Sequence, residues 1–124
     1  GTTKYKILAG TSQYIDQVVI SFQDLPTSFS LSQNYPNPFN PATKINYALS
    51  KQSRVTMSIY NILGQEIRTV LSRKDQDVGT HAVEWNGTDN LGRAVSSGVY
   101  LYRIQVETIN GETYTQTKKM LFIK

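Results

Sequence analysis

The chain has no cysteine. That absence excludes disulfides, thiolate zinc sites and cysteine nucleophiles in one step. It does not imply a reducing compartment, because a domain with a sufficient core can be exported without disulfides. Histidine occurs once, at His81. A catalytic histidine needs a nucleophile or carboxylate held beside it, and no Gly-x-Ser-x-Gly elbow is present. No acid–base pair or nucleophile constellation is visible, so the chain reads as non-enzymatic. No apolar run approaches the roughly 20 residues that cross a bilayer, and no integral membrane segment is expected. Charge of one sign is also scarce. Lys and Arg number 13 against 9 Asp and Glu, for a net charge of +4. The basic residues are scattered apart from Arg73-Lys74 and Lys118-Lys119. Phosphate binding draws on a clustered basic stripe, so a nucleic-acid partner is not expected.

What is present is strand chemistry. β-Branched and aromatic residues are frequent, with eight Tyr, and turn residues interrupt the chain about every ten positions. No segment of helical length shows a clean apolar stripe of helical period. A chain of 124 residues fits one domain with a short extension. Such a domain buries roughly two thirds of its unfolded surface and needs no staple. Gly1-Thr2-Thr3-Lys4 lacks the shape of a signal peptide and reads as a mid-chain start. A signal for export would then lie upstream. Residues 1–26 read as a lead-in: a linker, or the last strands of a preceding domain, with Tyr5–Leu8 and Val18–Phe22 as strand candidates.

Residues 34–41, Asn34-Tyr35-Pro36-Asn37-Pro38-Phe39-Asn40-Pro41, carry three prolines. Proline fixes φ, removes a donor and pushes its predecessor into extended space. The segment is expected to be a stiff irregular strap, with Tyr35 and Phe39 anchoring it to the apolar body. From residue 43 the alternation is regular. Ile45, Tyr47 and Leu49 share one face, and Val55, Met57 and Ile59 share the next. Asn61–Gln65 is a turn, Glu66–Leu71 the return strand, and Ser72–Gly79 a charged loop. Thr80–Trp85 places Val83, Trp85 and His81 in line. Val99–Val106 aligns Tyr100, Tyr102, Ile104 and Val106. Asn110-Gly111 is the strongest hairpin signal, and Thr113–Ile123 is the final strand. The reading is an all-β, immunoglobulin-like antiparallel sandwich of about seven strands.

The end of the chain is Lys118-Lys119-Met120-Leu121-Phe122-Ile123-Lys124. Four consecutive apolar residues cannot all face inward in a one-sided strand. Some of that surface must face a partner, an adjacent strand or another copy. A recognition role for this tail follows without reference to any family, and an exposed edge strand is also a site for strand addition.

Several of these motifs together resemble a known module. Leu31 to Ile45, Ile59 to Gln65, Gly79-Thr-His-Ala-Val-Glu-Trp-Asn-Gly87, Ser97-Gly-Val-Tyr-Leu-Tyr-Arg103 and Thr117 to Lys124 occur in order. They look like the type A C-terminal sorting domain of the type IX secretion system, over residues 29–124. The Gly-x-His, Trp-x-Gly and Gly-x-Tyr pattern is also similar to the immunoglobulin-like domain of the flagellar hook-capping protein. The resemblance implies a non-catalytic module, residues 27–124, behind an upstream passenger domain. It implies outer-membrane secretion machinery as partner and a secreted or outer cell-surface location reached through the periplasm. In processed family members the passenger is joined to surface lipopolysaccharide. The family's export determinant lies at the chain's end, which carries it onto Lys118 through Lys124.

Other residues carry less. His81 is read as structural. Asp75-Gln76-Asp77 and Asp89 lack the Gly and Glu that complete a helical calcium loop, so turn capping is expected and no cofactor or metal is assigned. Trp85, Tyr100 and Tyr102 fall on inward faces and read as core. The alternative is an accessory carbohydrate-binding or structural module, which requires Trp85, Tyr60 or Tyr114 to be exposed in a groove.

Overall fold

Alternating apolar residues dictate the architecture. The computed structural model describes residues 25–124. The strand candidates at Tyr5–Leu8 and Val18–Phe22 lie outside the described residues. Seven strands form within them: β1 Ser30–Leu31, β2 Thr43–Leu49, β3 Ser53–Asn61, β4 Glu66–Gln76, β5 Gly79–Trp85, β6 Gly98–Thr108 and β7 Thr113–Phe122. They make two antiparallel sheets, ordered β1-β2-β5 and β4-β3-β6-β7. This is the all-β sandwich expected from the sequence.

The inward faces are those the alternation selects. Ile45, Tyr47 and Leu49 of β2 meet Val55, Met57 and Ile59 of β3 and Tyr100, Tyr102, Ile104 and Val106 of β6, all buried. Full burial of one such side chain contributes about 1.5–3 kcal/mol, enough for this set to hold the two layers together. Trp85 closes one end of the core and is itself fully buried. His81 stacks on Tyr47 with ring centroids 5.5 Å apart, and one ring nitrogen lies 2.8 Å from the Asp77 carbonyl oxygen. That matches the structural role expected of it.

The structure corrects the reading in two places. Ser72 to Gln76 is strand and not loop, because β4 runs on to Gln76 and pairs Arg54 with Asp75 and Val55 with Lys74. The irregularity is taken up by a bulge, with Arg73 at φ 48° and register shifts beside it. Polar composition suggested a loop there, whereas an outward-facing edge strand has the same composition. The second correction is Tyr35. It is 79% exposed and anchors nothing. Its backbone N–H and C=O pair with Lys44, which leaves the ring in solvent. The buried strap residue beside it is Asn34, at 2% exposure.

Candidate functional site

The two sequence features singled out, the strap and the tail, meet along one edge of the sandwich. The strap first follows β2. Ser32 donates to the Asn46 carbonyl, and Tyr35 exchanges bonds with Lys44. It then crosses to the other sheet and lies against β7. Phe39 N–H donates to the Leu121 carbonyl at 3.0 Å, and Ile123 N–H donates to the Phe39 carbonyl at 3.0 Å. Leu121 N–H donates to Asn37 Oδ1 at 3.0 Å. Gln33 Nε2 donates to the Lys119 carbonyl at 2.6 Å. An edge strand normally leaves these groups bare. Here Gln33 and the strap together satisfy them from Lys119 to Ile123. The last residue is tied as well, since Lys124 N–H donates to Ser97 Oγ at 2.9 Å.

Asn34 is the polar hub of the crossing. Its Nδ2 donates to Thr43 Oγ1 and to the Pro36 carbonyl, and its Oδ1 accepts from Gln33 Nε2. Its backbone N–H donates to the Tyr102 hydroxyl, which donates in turn to the Ser32 carbonyl at 2.7 Å. A buried amide is tolerable only when its groups find partners. This one does, and so it fixes the strap to β2 and β6 together. Burial pushes the Tyr102 hydroxyl up to about 12, although the bond from Asn34 pulls the other way.

Farther along the strap, Phe39 joins an aromatic cluster. Phe39 stacks on Phe122 at 4.9 Å and packs against Trp85 at 5.6 Å. Trp85 meets Tyr100 edge-on at 5.3 Å. The indole N–H donates to the Thr88 carbonyl at 2.8 Å. Gly87 sits against the Phe122 ring. A Cβ there would lie 2.7 Å from that ring, and its φ of +75° already favours glycine. The Trp-x-Gly motif is thus explained by packing. The tryptophan fills the end of the core, and the glycine makes room for the ring of the C-terminal strand.

The tail divides by side. Met120 and Phe122 are buried, at 1% and 4% exposure, while Leu121 and Ile123 face solvent at 36% and 48%. Lys118 shares the inward parity of Met120 and is half-buried, and Lys119 faces outward. The apolar run does leave half of its residues outward, as expected. It is nevertheless a regular core strand, registered against β6 from Thr113↔Glu107 to Phe122↔Gly98. In the strap, Asn34 and Phe39 point into the body, and Tyr35, Pro36, Asn37, Pro38, Asn40 and Pro41 are exposed. The coupling of strap to tail through Asn37 and Gln33 carries no signal in the sequence, because it depends on which edge the strap crosses to.

The remaining polar groups have structural partners. The Asp89 carboxylate accepts from the Leu91 and Arg93 N–H groups and from Arg93 Nε. Those bonds, led by the Arg93 N–H, hold it below its usual range. Asp75 pairs with Arg54 at 3.1 Å. Among the described residues, no three acidic, His or Cys side chains gather as a metal site would require. Likewise no helix there is long and apolar enough to cross a membrane. A depression of about 320 Å³, lined by Gln52, Arg54, Asp75 and Glu107 among others, holds no nucleophile–base pair. Tyr60 lies half-buried beneath Arg103, whereas Tyr114, stacked on Phe29 at 5.8 Å, is 41% exposed and lines a second depression with Arg54 and Arg73.

The fold is similar to part of dimeric latent PorU from Porphyromonas gingivalis, with a TM-score of 0.63 and 20% identity. That match covers 77% of this chain and only 9% of the PorU chain. It is similar to FlgD from P. aeruginosa, with a TM-score of 0.53 and 26% identity, over 64% of this chain and 61% of that one. No curated protein matches the sequence. The model of the FlgD Ig-like domain, a structural and non-enzymatic unit, matches residues 38–112, more than half of the chain. With its two sheets, its aromatic end-cluster and this match, the chain belongs to the FlgD Ig-like domain family.

Proposed function

We propose that residues 27–124 form a non-catalytic C-terminal sorting and anchoring module. It directs an upstream passenger protein through the type IX secretion system to the cell surface. Its partner is the outer-membrane secretion machinery, reached from the periplasm. Attachment of the processed passenger to surface lipopolysaccharide belongs to the same reading. The observation that carries it is convergence. The sorting-family motifs are scattered from Leu31 to Lys124, yet Phe39, Trp85, Gly87, Tyr100 and Phe122 from four of them meet in one cluster. The last member of that cluster is the C-terminal strand. The general family match ends at residue 112, immediately before β7, and starts inside the strap. The strap's first half, β1 and β7 with the tail lie outside that match. The sorting reading rests on the motifs these two ends carry.

The test is a fusion of the whole 124-residue chain to the C-terminus of a periplasmic reporter, in a host that has the secretion system. The reporter should become accessible to protease added outside intact cells. Its retention in the periplasm would overturn the proposal.

A further inference from the structure

The tail cannot be read as a free linear peptide while the domain is folded. Its backbone is bonded to β6 on one side and to the strap on the other. Two of its four apolar side chains lie in the core. What it offers a partner is its outward half, and that half is continuous with neighbours on the same sheet. Leu121 is in register with Val99, Lys119 with Leu101, and Leu101 with Tyr60. Val99 and Leu121 are 39% and 36% exposed. Arg103 lies with its guanidinium carbon 5.2 Å from the Tyr60 ring centroid.

We propose that this outer face of the four-stranded sheet, built from Tyr60, Val99, Leu101, Arg103, Lys119 and Leu121, docks a protein surface that is apolar at its centre and carries carboxylates. The proposal rests on the sorting reading for its biological readout, while the geometry stands alone. Charge complementarity selects the occupant. The ion pairs among the described residues are Lys51–Glu112, Arg54–Asp75 and Arg93–Asp89, and none involves Arg103, Lys119 or Lys124. The acid in register with Tyr60, Glu66, accepts from the Thr69 hydroxyl. An apolar row beside cations without acidic partners fits a surface with opposite charge. A lipid surface fits less well. Membrane anchoring relies on bulky apolar groups that insert below the headgroups, whereas Val99 and Leu121 are only 39% and 36% exposed.

The experiment uses the same full-chain fusion. Val99→Asp with Leu121→Asp should cut surface display roughly tenfold or more, as loss of a central apolar contact does. Lys119→Glu should cut it several-fold, and Thr115→Asp, outside the patch, should leave it unchanged. Thermal melts of the purified domains report whether each variant is folded. If the double variant fails to fold, Lys119→Glu decides, because that side chain is in solvent. Wild-type display by a folded patch variant, beside a displayed wild type, overturns the docking surface and leaves the sorting reading intact. A wild-type fusion that stays in the periplasm overturns the sorting reading instead. Co-sedimentation of the purified domain with phosphatidylcholine–phosphatidylglycerol vesicles, abolished by Lys119→Glu, would overturn the choice of a protein partner.

Discussion

Gly87 meets the tail through the Phe122 ring, and Tyr102 meets the approach to the strap through the Ser32 carbonyl. Gly87→Ala places a methyl group 2.7 Å from the Phe122 ring and strains a backbone at φ +75°. The expected loss exceeds about 1 kcal/mol, read as a lower melting temperature, and Phe122→Leu should relieve part of it. Tyr102 sets an alkaline limit. Its folded value, about 12, lies above the ordinary 10. A group whose value is raised by folding stabilises fully below the unfolded value and loses that contribution as pH rises through the folded one. The stability curve should therefore fall between about pH 10 and 12, because burial disfavours the phenolate, which also can no longer donate to the Ser32 carbonyl. Tyr102→Phe should lower stability at neutral pH and flatten that alkaline fall. An equally steep fall in the variant would show that other groups cause it. The identity of these residues as core was legible from strand alternation. Their role in holding the strap was not, because a tyrosine hydroxyl's partner lies 70 positions away in sequence.

β7 and the strap make up the element on which the proposed function turns. Leu121 and Ile123 amides are bonded to the strap, whereas no such bond reaches Thr115 or Thr117 among the described residues. Hydrogen exchange should accordingly split one strand in two, slow at Leu121 and Ile123 and fast at Thr115 and Thr117. Asn37→Ala should accelerate exchange at Leu121 and leave the core amides of β6 unchanged. Uniform protection along β7 would contradict the strap's role as its cover. The strand pattern was readable because burial has period two, and proline made the strap readable as irregular. Tyr35 misled because aromatic character alone does not say which way a bridged residue points. Asn34, a polar residue in a polar-looking segment, gave no cue to its burial. β4 was cut short for a related reason. From Ser72 to Asp75 every residue is exposed, and composition there cannot separate strand from loop.

For the whole molecule, removing residues 118–124 is not a surgical deletion of a signal. It takes Met120 and Phe122 from the core, and truncating one such side chain alone costs about 2–5 kcal/mol. That approaches the 5–15 kcal/mol that holds an average domain together. The truncated chain should lose its cooperative melt, so a failure of export on deletion says nothing by itself about recognition. The sandwich, its strand order and its membership of the FlgD Ig-like domain family describe the scaffold. The proposed sorting signal is a folded unit of strap and tail and not a terminal peptide. The direct measurement is surface display of one reporter carrying either the whole chain or residues 118–124 alone, in the same type IX host. Display is expected with the whole chain and none with the seven-residue tail. Equal display with the tail alone would contradict it.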